Sequence, residues 1–255
     1  MSPLERFAVL VGRPAADVPL DEAALVMATA LRPDVDIEHA LAVLDQLASR
    51  CDMVSFDGLR ALLFEREGFR GNVTQYEDPD NSFLDRVLDR RVGIPISLAA
   101  VMISVGARIG VPIVGIGMPA HFLVRRADAD VYCDPFNGGR VLDMAGCAAL
   151  FESLTGGAGT FNPSFLAPVD THQVLSRMLN NLEHGRYGRD PTHANALLDL
   201  HLCIPGLGNA ERLAVSQKLV QLARFEDAAR VVERADLASN TDLARHARAL
   251  RARLN

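Results

Sequence analysis

Apolar residues recur at helical spacing through the first 75 positions. Ala23, Ala24, Val26 and Met27 share one side of a stretch that Asp21 opens and Leu31 closes, and Pro33 parts it from the next. Ala40, Leu41, Leu44 and Leu47 repeat the pattern from Asp36 or Ile37 onward. Leu59, Leu62 and Leu63 do so over 55–67, with Gly68 and Gly71 at the end. Asp78-Pro79-Asp80-Asn81 reads as a turn. Ser82 and Asp85 have the spacing of a capping box, which predicts a helix running to Arg90 or Arg91. The pattern then changes. Between Pro95 and Gly110, Ala99, Ala100, Met102, Ile103, Val105 and Gly106 leave almost no polar face, which predicts a buried central helix with Pro95 at its first position. Short strands are expected at 112–117, 121–126 and 131–134, the last two as a hairpin around Asp128-Ala129-Asp130. A helix is expected over 141–154, then a glycine-rich loop, then helices near 172–185, 192–203, 211–222, 226–237 and 241–254.

These elements predict an α+β chain in three parts: a helical region over 1–75, a core of buried helix and small antiparallel sheet over 76–165, and a helical region over 166–255. Leu213, Leu219 and Leu222, followed by Phe225-Glu226-Asp227-Ala228-Ala229, resemble a tetratricopeptide helix hairpin, although no period of about 34 residues repeats. Too few such helices are present to stand alone, so they are expected to dock on the core or on another chain.

Composition narrows the class. Apolar residues make up 49% and charged residues 23%, as in an ordinary globular protein. A formal net charge of -6 argues against a general nucleic-acid binder. No apolar run reaches the roughly 18 residues expected of a membrane helix. Cys51, Cys133, Cys147 and Cys203 are widely spaced, and residues 1–11 do not read as a signal peptide. Reduced thiols in a cytoplasmic protein are expected.

Candidate chemistry gathers between Asn81 and Gly139. Ser97 falls at the start of the apolar helix, His121 on a strand and Asp134 at a strand end. A nucleophile, a base and an orienting acid in this order would make a relay, with the helix N-terminus stabilising developing negative charge. Each residue also has a plain structural role open to it. Ser97 could bond its own helix backbone, His121 could be a satisfied core histidine, and Asp134 could start a turn with Asn137-Gly138. The Arg86, Arg90 and Arg91 cluster is expected to pair with local acids. No metal or cofactor is expected. His193 and His201 would lie about 12 Å apart along a helix, there is no H-E-x-x-H, and the 155–160 loop has no P-loop lysine.

Four segments, Asn81-Ser82-Phe83-Leu84, Arg90 to Leu98, Pro119-Ala120-His121-Phe122-Leu123 and Asp134-Pro135-Phe136-Asn137-Gly138-Gly139, resemble the bacterial transglutaminase-like family named after an invasion-gene regulator. The resemblance spans roughly residues 35–250. It implies a papain-like core with a small antiparallel sheet, flanked by N-terminal helices and a C-terminal tetratricopeptide-like tail. It further implies that His121 is the base, that Asp134 orients it, and that Ser97 stands where active relatives carry Cys. A thiol can be held as a thiolate beside a histidine, whereas a hydroxyl must lose its proton during attack. Two functions are therefore expected as rivals. One is a non-catalytic module that binds a protein or peptide in the cleft or on the C-terminal helices. The other is acyl transfer or amide hydrolysis by Ser97, His121 and Asp134.

Overall fold

The computed structural model of the chain describes residues 1–233 and 241–254. Its N-terminal helices are α1 (Pro3–Val11), α2 (Leu20–Leu31) and α3 (Ile37–Ser49). Asp36 caps α3, accepting the His39 N–H at 3.0 Å. Asp21 does not cap α2, which starts one residue earlier behind Pro19; its carboxylate instead meets Arg108 at 2.5 Å. The next helix begins as α4 (Phe56–Arg60), capped by Ser55, and widens into a π-helical turn over Ala61–Arg66. A two-residue strand, β1 (Arg70–Gly71), follows.

Helix α5 spans Leu84–Arg90. The expected capping box at Ser82 does not form, because Ser82 closes the preceding 3-10 turn (Pro79–Asn81) with its N–H on the Pro79 carbonyl. Asp85 is used elsewhere, in a 2.8 Å ion pair with Arg32. The arginine cluster pairs locally, as expected: Arg86 with Asp34, Arg90 with Asp78 at 2.7 Å, and Arg91 with Glu67 at 2.9 Å. Strand β2 (Val92–Gly93) pairs in parallel with β1.

Helix α6 (Pro95–Arg108) is the buried central helix. It lies against a five-stranded sheet of β3 (Ile113–Ile116), β4 (Leu123–Arg126), β5 (Tyr132–Asp134), β6 (Arg140–Leu142) and β7 (Pro168–Val169). The sheet order is β6-β5-β4-β3-β7, and every neighbouring pair is antiparallel. Strands β6 and β7 were not expected from the pattern. Three and two residues are too few to show alternation. The helix expected at 141–154 accordingly starts later, as α7 (Met144–Thr155), with Asp143 as its cap.

The remaining helices are α8 (Thr171–His184), α9 (Pro191–Cys203), α10 (Asn209–Gln221), α11 (Phe225–Glu233) and α12 (Thr241–Leu254). The end of the helix expected at 226–237 lies outside the described residues. Among the described residues no helix is long and apolar enough to cross a membrane.

One apolar cluster runs from Phe7 through α2, α3, α6 and β4 to Val174, Leu179, Leu197 and Leu207. The N-terminal helices, the sheet and α8–α9 thus share a single core. Helices α10 to α12 close around a second cluster, which includes Val215, Leu219, Val232, Leu243 and Leu250 and reaches back to Leu198 on α9. The buried face of α6 sits close to β3 at Gly106. A Cβ there would meet Ile113 Cγ1 at 2.7 Å and the Val111 carbonyl at 2.8 Å.

That contact generates a prediction with a definite sign. In an open helix, Gly→Ala stabilises by about 1 kcal/mol. At Gly106 the added methyl is obstructed by backbone, so Gly106→Ala is expected to destabilise by about 1–3 kcal/mol through overpacking. Urea denaturation of the two proteins checks it, and a more stable variant would show that α6 and β3 are not packed so closely.

Candidate functional site

Four segments converge beside the start of α6. The turn between β3 and β4 carries His121, and the end of β5 carries Asp134. The 72–82 loop carries Tyr76, and α8 carries Arg177 and Asn181. His121, Tyr76, Arg177 and Asn181, together with Pro95 and Ile96, bound a cleft of ≈ 260 Å³, and Asp134 reaches it only through His121.

His121 and Asp134 are brought together. The His121 Nε2 lies 2.9 Å from Asp134 Oδ1, and the two residues are 6% and 1% exposed. His121 is not on the strand itself but two residues ahead of β4, in a tight turn closed by its N–H on the Met118 carbonyl at 3.1 Å. Ala120, just before it, has φ 61°, a left-handed conformation that costs a residue with a Cβ about 1–2 kcal/mol. Arg177 holds this turn in place. Its guanidinium donates to the carbonyls of Gly117 at 2.7 Å and of Met118 and His121 at 3.1 Å each, and it lies over the Phe122 ring.

Asp134 accepts from several donors besides His121. The Phe136 and Asn137 N–H groups reach Oδ1 at 3.1 and 3.3 Å, and the Asn137 side chain reaches Oδ2 at 2.7 Å. Burial pushes the Asp134 carboxyl up, but the hydrogen bond and charge of His121, with the Asn137 donors, outweigh it and hold the group below the usual carboxylate range. Phe136, two residues on, packs edge-on against both His121 and Tyr76. With Nε2 committed to Asp134, Nδ1 is the ring nitrogen of His121 that makes no hydrogen bond.

Ser97 is placed differently. It is fully buried at the third position of α6. Its Oγ donates to the Asn81 carbonyl at 2.5 Å, lies 3.1 Å from the Ile94 carbonyl, and accepts the Ile94 N–H at 3.1 Å. All three contacts are to backbone and none is to His121. The residues of α6 that line the cleft with His121 are Pro95 and Ile96. Asn81, itself fully buried, completes the fastening through its side chain, which donates to the Gln75 and Tyr76 carbonyls and accepts from Asn72.

No thiol substitutes for the hydroxyl. Burial, with the charge of Asp134, pushes the Cys133 thiol up to about 12, and burial with Asp143 pushes Cys147 up to about 11. Cys51 and Cys203 are raised by burial as well. Among the described residues no three His, Cys, Asp or Glu side chains group as metal ligands would.

Tyr76, Arg177 and Asn181 escaped the sequence reading. Arg177 does leave a signal: it is a cation set among Val174, Leu175, Ser176, Met178 and Leu179, all buried. Tyr76 and Asn181 are exposed polar side chains in unremarkable contexts and leave none.

Two predictions follow from this geometry. Because the Asp134 pKa is depressed in the fold, its stabilising contribution is present above the ordinary carboxylate pKa of about 3.9 and is lost as pH falls through the lower folded value. Asp134→Asn is expected to be less stable than the parent at pH 7, with the gap closing below about pH 4 in acid-unfolding curves. The second concerns reactivity. Ile96→Cys is expected to give a thiol that alkylates faster than the native cysteines near neutral pH, and adding His121→Ala to remove the advantage. Ser97→Cys is expected to stay as inert as Cys133. Alkylation followed by peptide mass mapping compares all three.

A family model described as "Transglutaminase-like superfamily" matches residues 23–180. A UPF0162 protein of Xylella fastidiosa is 35% identical over 179 residues, 65% of this chain and 64% of that protein. One of Vibrio cholerae is 29% identical over 172 residues, 63% of each. The chain thus spans a little under two thirds of the length of these relatives. Human F-box only protein 21 is 32% identical over 136 residues, 49% of this chain but 21% of that protein. No solved structure matches. The family match covers the central helix, the sheet and both members of the His121–Asp134 pair, and the chain belongs to the transglutaminase-like superfamily.

Proposed function

We propose that this chain is a non-catalytic binding module that uses a transglutaminase-like cleft to hold a protein or peptide segment. One observation carries the reading. The hydroxyl at the expected nucleophile position is spent on the backbone of Asn81 and Ile94, and the cleft beside His121 is lined instead by Pro95 and Ile96. A proline ring and an isoleucine supply contact area and no nucleophile. The four raised thiols supply none either. The F-box relative supports the same view, since a similar segment occupies 21% of a longer protein, as a transferable unit would.

Helices α10 and α11 form the hairpin that resembles a tetratricopeptide repeat, and in this reading they offer a second partner surface. Regulation by a bound partner fits such a module better than turnover does. The cysteines are unpaired, which suits a reducing compartment, and we place the protein's work in the cytoplasm.

A second reading stands on the His121–Asp134 pair, whose 2.9 Å contact leaves His121 Nδ1 for another partner. It would be an acyl-transfer or amide-hydrolysing enzyme in which Ser97 leaves Asn81 and turns to His121. Such a move gives up a buried charge-neutral hydrogen-bond set worth about 1 kcal/mol per bond and leaves the Asn81 carbonyl unsatisfied.

The experiment separates the two. The full chain is treated with a fluorophosphonate, and separately incubated with a random hexapeptide mixture and with a glutamine-rich protein plus an alkylamine. We expect no label at Ser97, no cleavage and no amine incorporation. We also expect a subset of hexapeptides to be retained by the immobilised chain and released about tenfold more readily by Tyr76→Ala, since a half-exposed aromatic at the cleft mouth is a natural anchor. Labelling at Ser97 that disappears in His121→Ala would establish the enzyme instead.

A further inference from the structure

The His121 cleft does not end at its own walls. Tyr76 and Asn181 also line a second cavity, of ≈ 220 Å³, on the other side of them. The two cavities therefore adjoin across one tyrosine and one asparagine and make a single groove along α8. Their chemistry differs. The inner cavity is lined by the cation Arg177 and by His121 and, among the described residues, by no carboxylate. The outer cavity carries Ile94, Leu182, Pro79 and Tyr187, with Glu77, Asp78, His184 and Arg186 also in its lining.

Arg177 is the unusual member. Among the described residues it makes no ion pair, whereas Arg32, Arg90, Arg91 and Arg108 around the same core each have a carboxylate within 4.0 Å. Its partners are three backbone carbonyls, which use one Nη1–H and both Nη2–H groups. The Nε–H and the second Nη1–H are left over. Burial depresses the guanidinium pKa, although Tyr76 and the more distant charge of Glu211 act against the shift. Arg177 is half-buried with no carboxylate of the described residues in contact, and a carboxylate is the anion whose planar oxygens suit a guanidinium. The outer cavity points the other way. Its acids Glu77 and Asp78 are offset by Arg189, Arg90 and the lining Arg186, so the cavity calls for no charge, and its apolar wall suits an aliphatic or aromatic side chain.

We infer that the groove is a receptor for the C-terminus of a peptide, with the terminal carboxylate at Arg177 and an apolar side chain near the end in the outer cavity. This rests on the peptide-binding reading above and specifies its ligand. A carboxylate at the very end of a chain, after an apolar residue, meets both conditions: negative charge in the inner cavity and an apolar side chain in the outer.

The test uses the full chain and two pools of random hexapeptides, one with free C-terminal carboxylates and one amidated. Retained peptides are identified, resynthesised in both forms, and their affinities measured by fluorescence polarisation. The expected result is retention from the free-acid pool, at least a tenfold loss on amidation, and enrichment of apolar residues near the terminus. Asn181 is exposed on α8, so its variants should keep the fold. Asn181→Asp is expected to weaken the free-acid peptides about tenfold and to leave amidated ones unchanged, because it adds a like charge beside the carboxylate. Arg177→Gln is expected to erase the preference for the free acid. Peptides that bind alike as acid and amide, or that bind as amides through an internal Asp or Glu, would overturn the C-terminal receptor and leave the peptide module standing. A free-acid preference untouched by both Asn181→Asp and Arg177→Gln would place the carboxylate elsewhere and overturn it too. Retention from neither pool would overturn both the receptor and the module.

Discussion

The structure depends on covering α6 from every side. A helix with Ile96, Leu98, Ala99, Val101, Met102 and Val105 spread around its circumference cannot leave one face in water. The sheet covers one side, the N-terminal helices another, and α8 closes the rest. This single demand explains why segments far apart in the chain share one core. It also explains why the cleft lies where it does, since the N-terminus of α6 is where these covering layers meet and stop.

At that meeting point the chain uses polar contacts in place of apolar ones. Arg177 gathers three carbonyls of the 117–121 turn, and through them it sets the ring of His121. Asp134 gathers His121, Asn137 and a backbone N–H. Asn81 gathers the 72–82 loop and the start of α6. Each hub binds loop backbone that no regular ladder satisfies, and unpaired groups at such depth would cost more than the bonds return in water. The pocket is therefore bonded into the fold where it touches α6, while the side chains of Tyr76 and Asn181 are exposed.

Much of this was legible in the sequence, and the limit has a physical form. The central helix, the β3–β4–β5 meander and the C-terminal helices show in the spacing of apolar residues, because burial imposes a period. The two-residue strands β1, β2 and β7 show no period. The start of α5 was misread because Ser82 satisfies two local grammars, a helix cap and a turn end, and only the Pro79 carbonyl decides between them. The pairing of His121 with Asp134 was readable from their strand contexts. The plain alternative for Ser97, a bond to its own helix backbone, was readable too, but its tie to the Asn81 carbonyl and its place beneath the cleft were not. One helical position is about 100° of rotation, and it separates a side chain in the cleft from one beneath it. Residues contributed by distant segments, Tyr76 and Arg177 above all, could be joined to the site only in three dimensions.

The bond from Ser97 to Asn81 has a consequence for substitution as well as for chemistry. A hydroxyl at 2.5 Å from a carbonyl fills a space that a sulfur atom, larger and a weaker donor, would not fill in the same way. Gly93 is pressed against the same oxygen, so a Cβ there would lie 2.7 Å from it and the neighbourhood has little room to relax. One oxygen atom thus ties the start of α6 to the 72–82 loop, and any larger atom at this position would have to displace Asn81 or Gly93 to be seated.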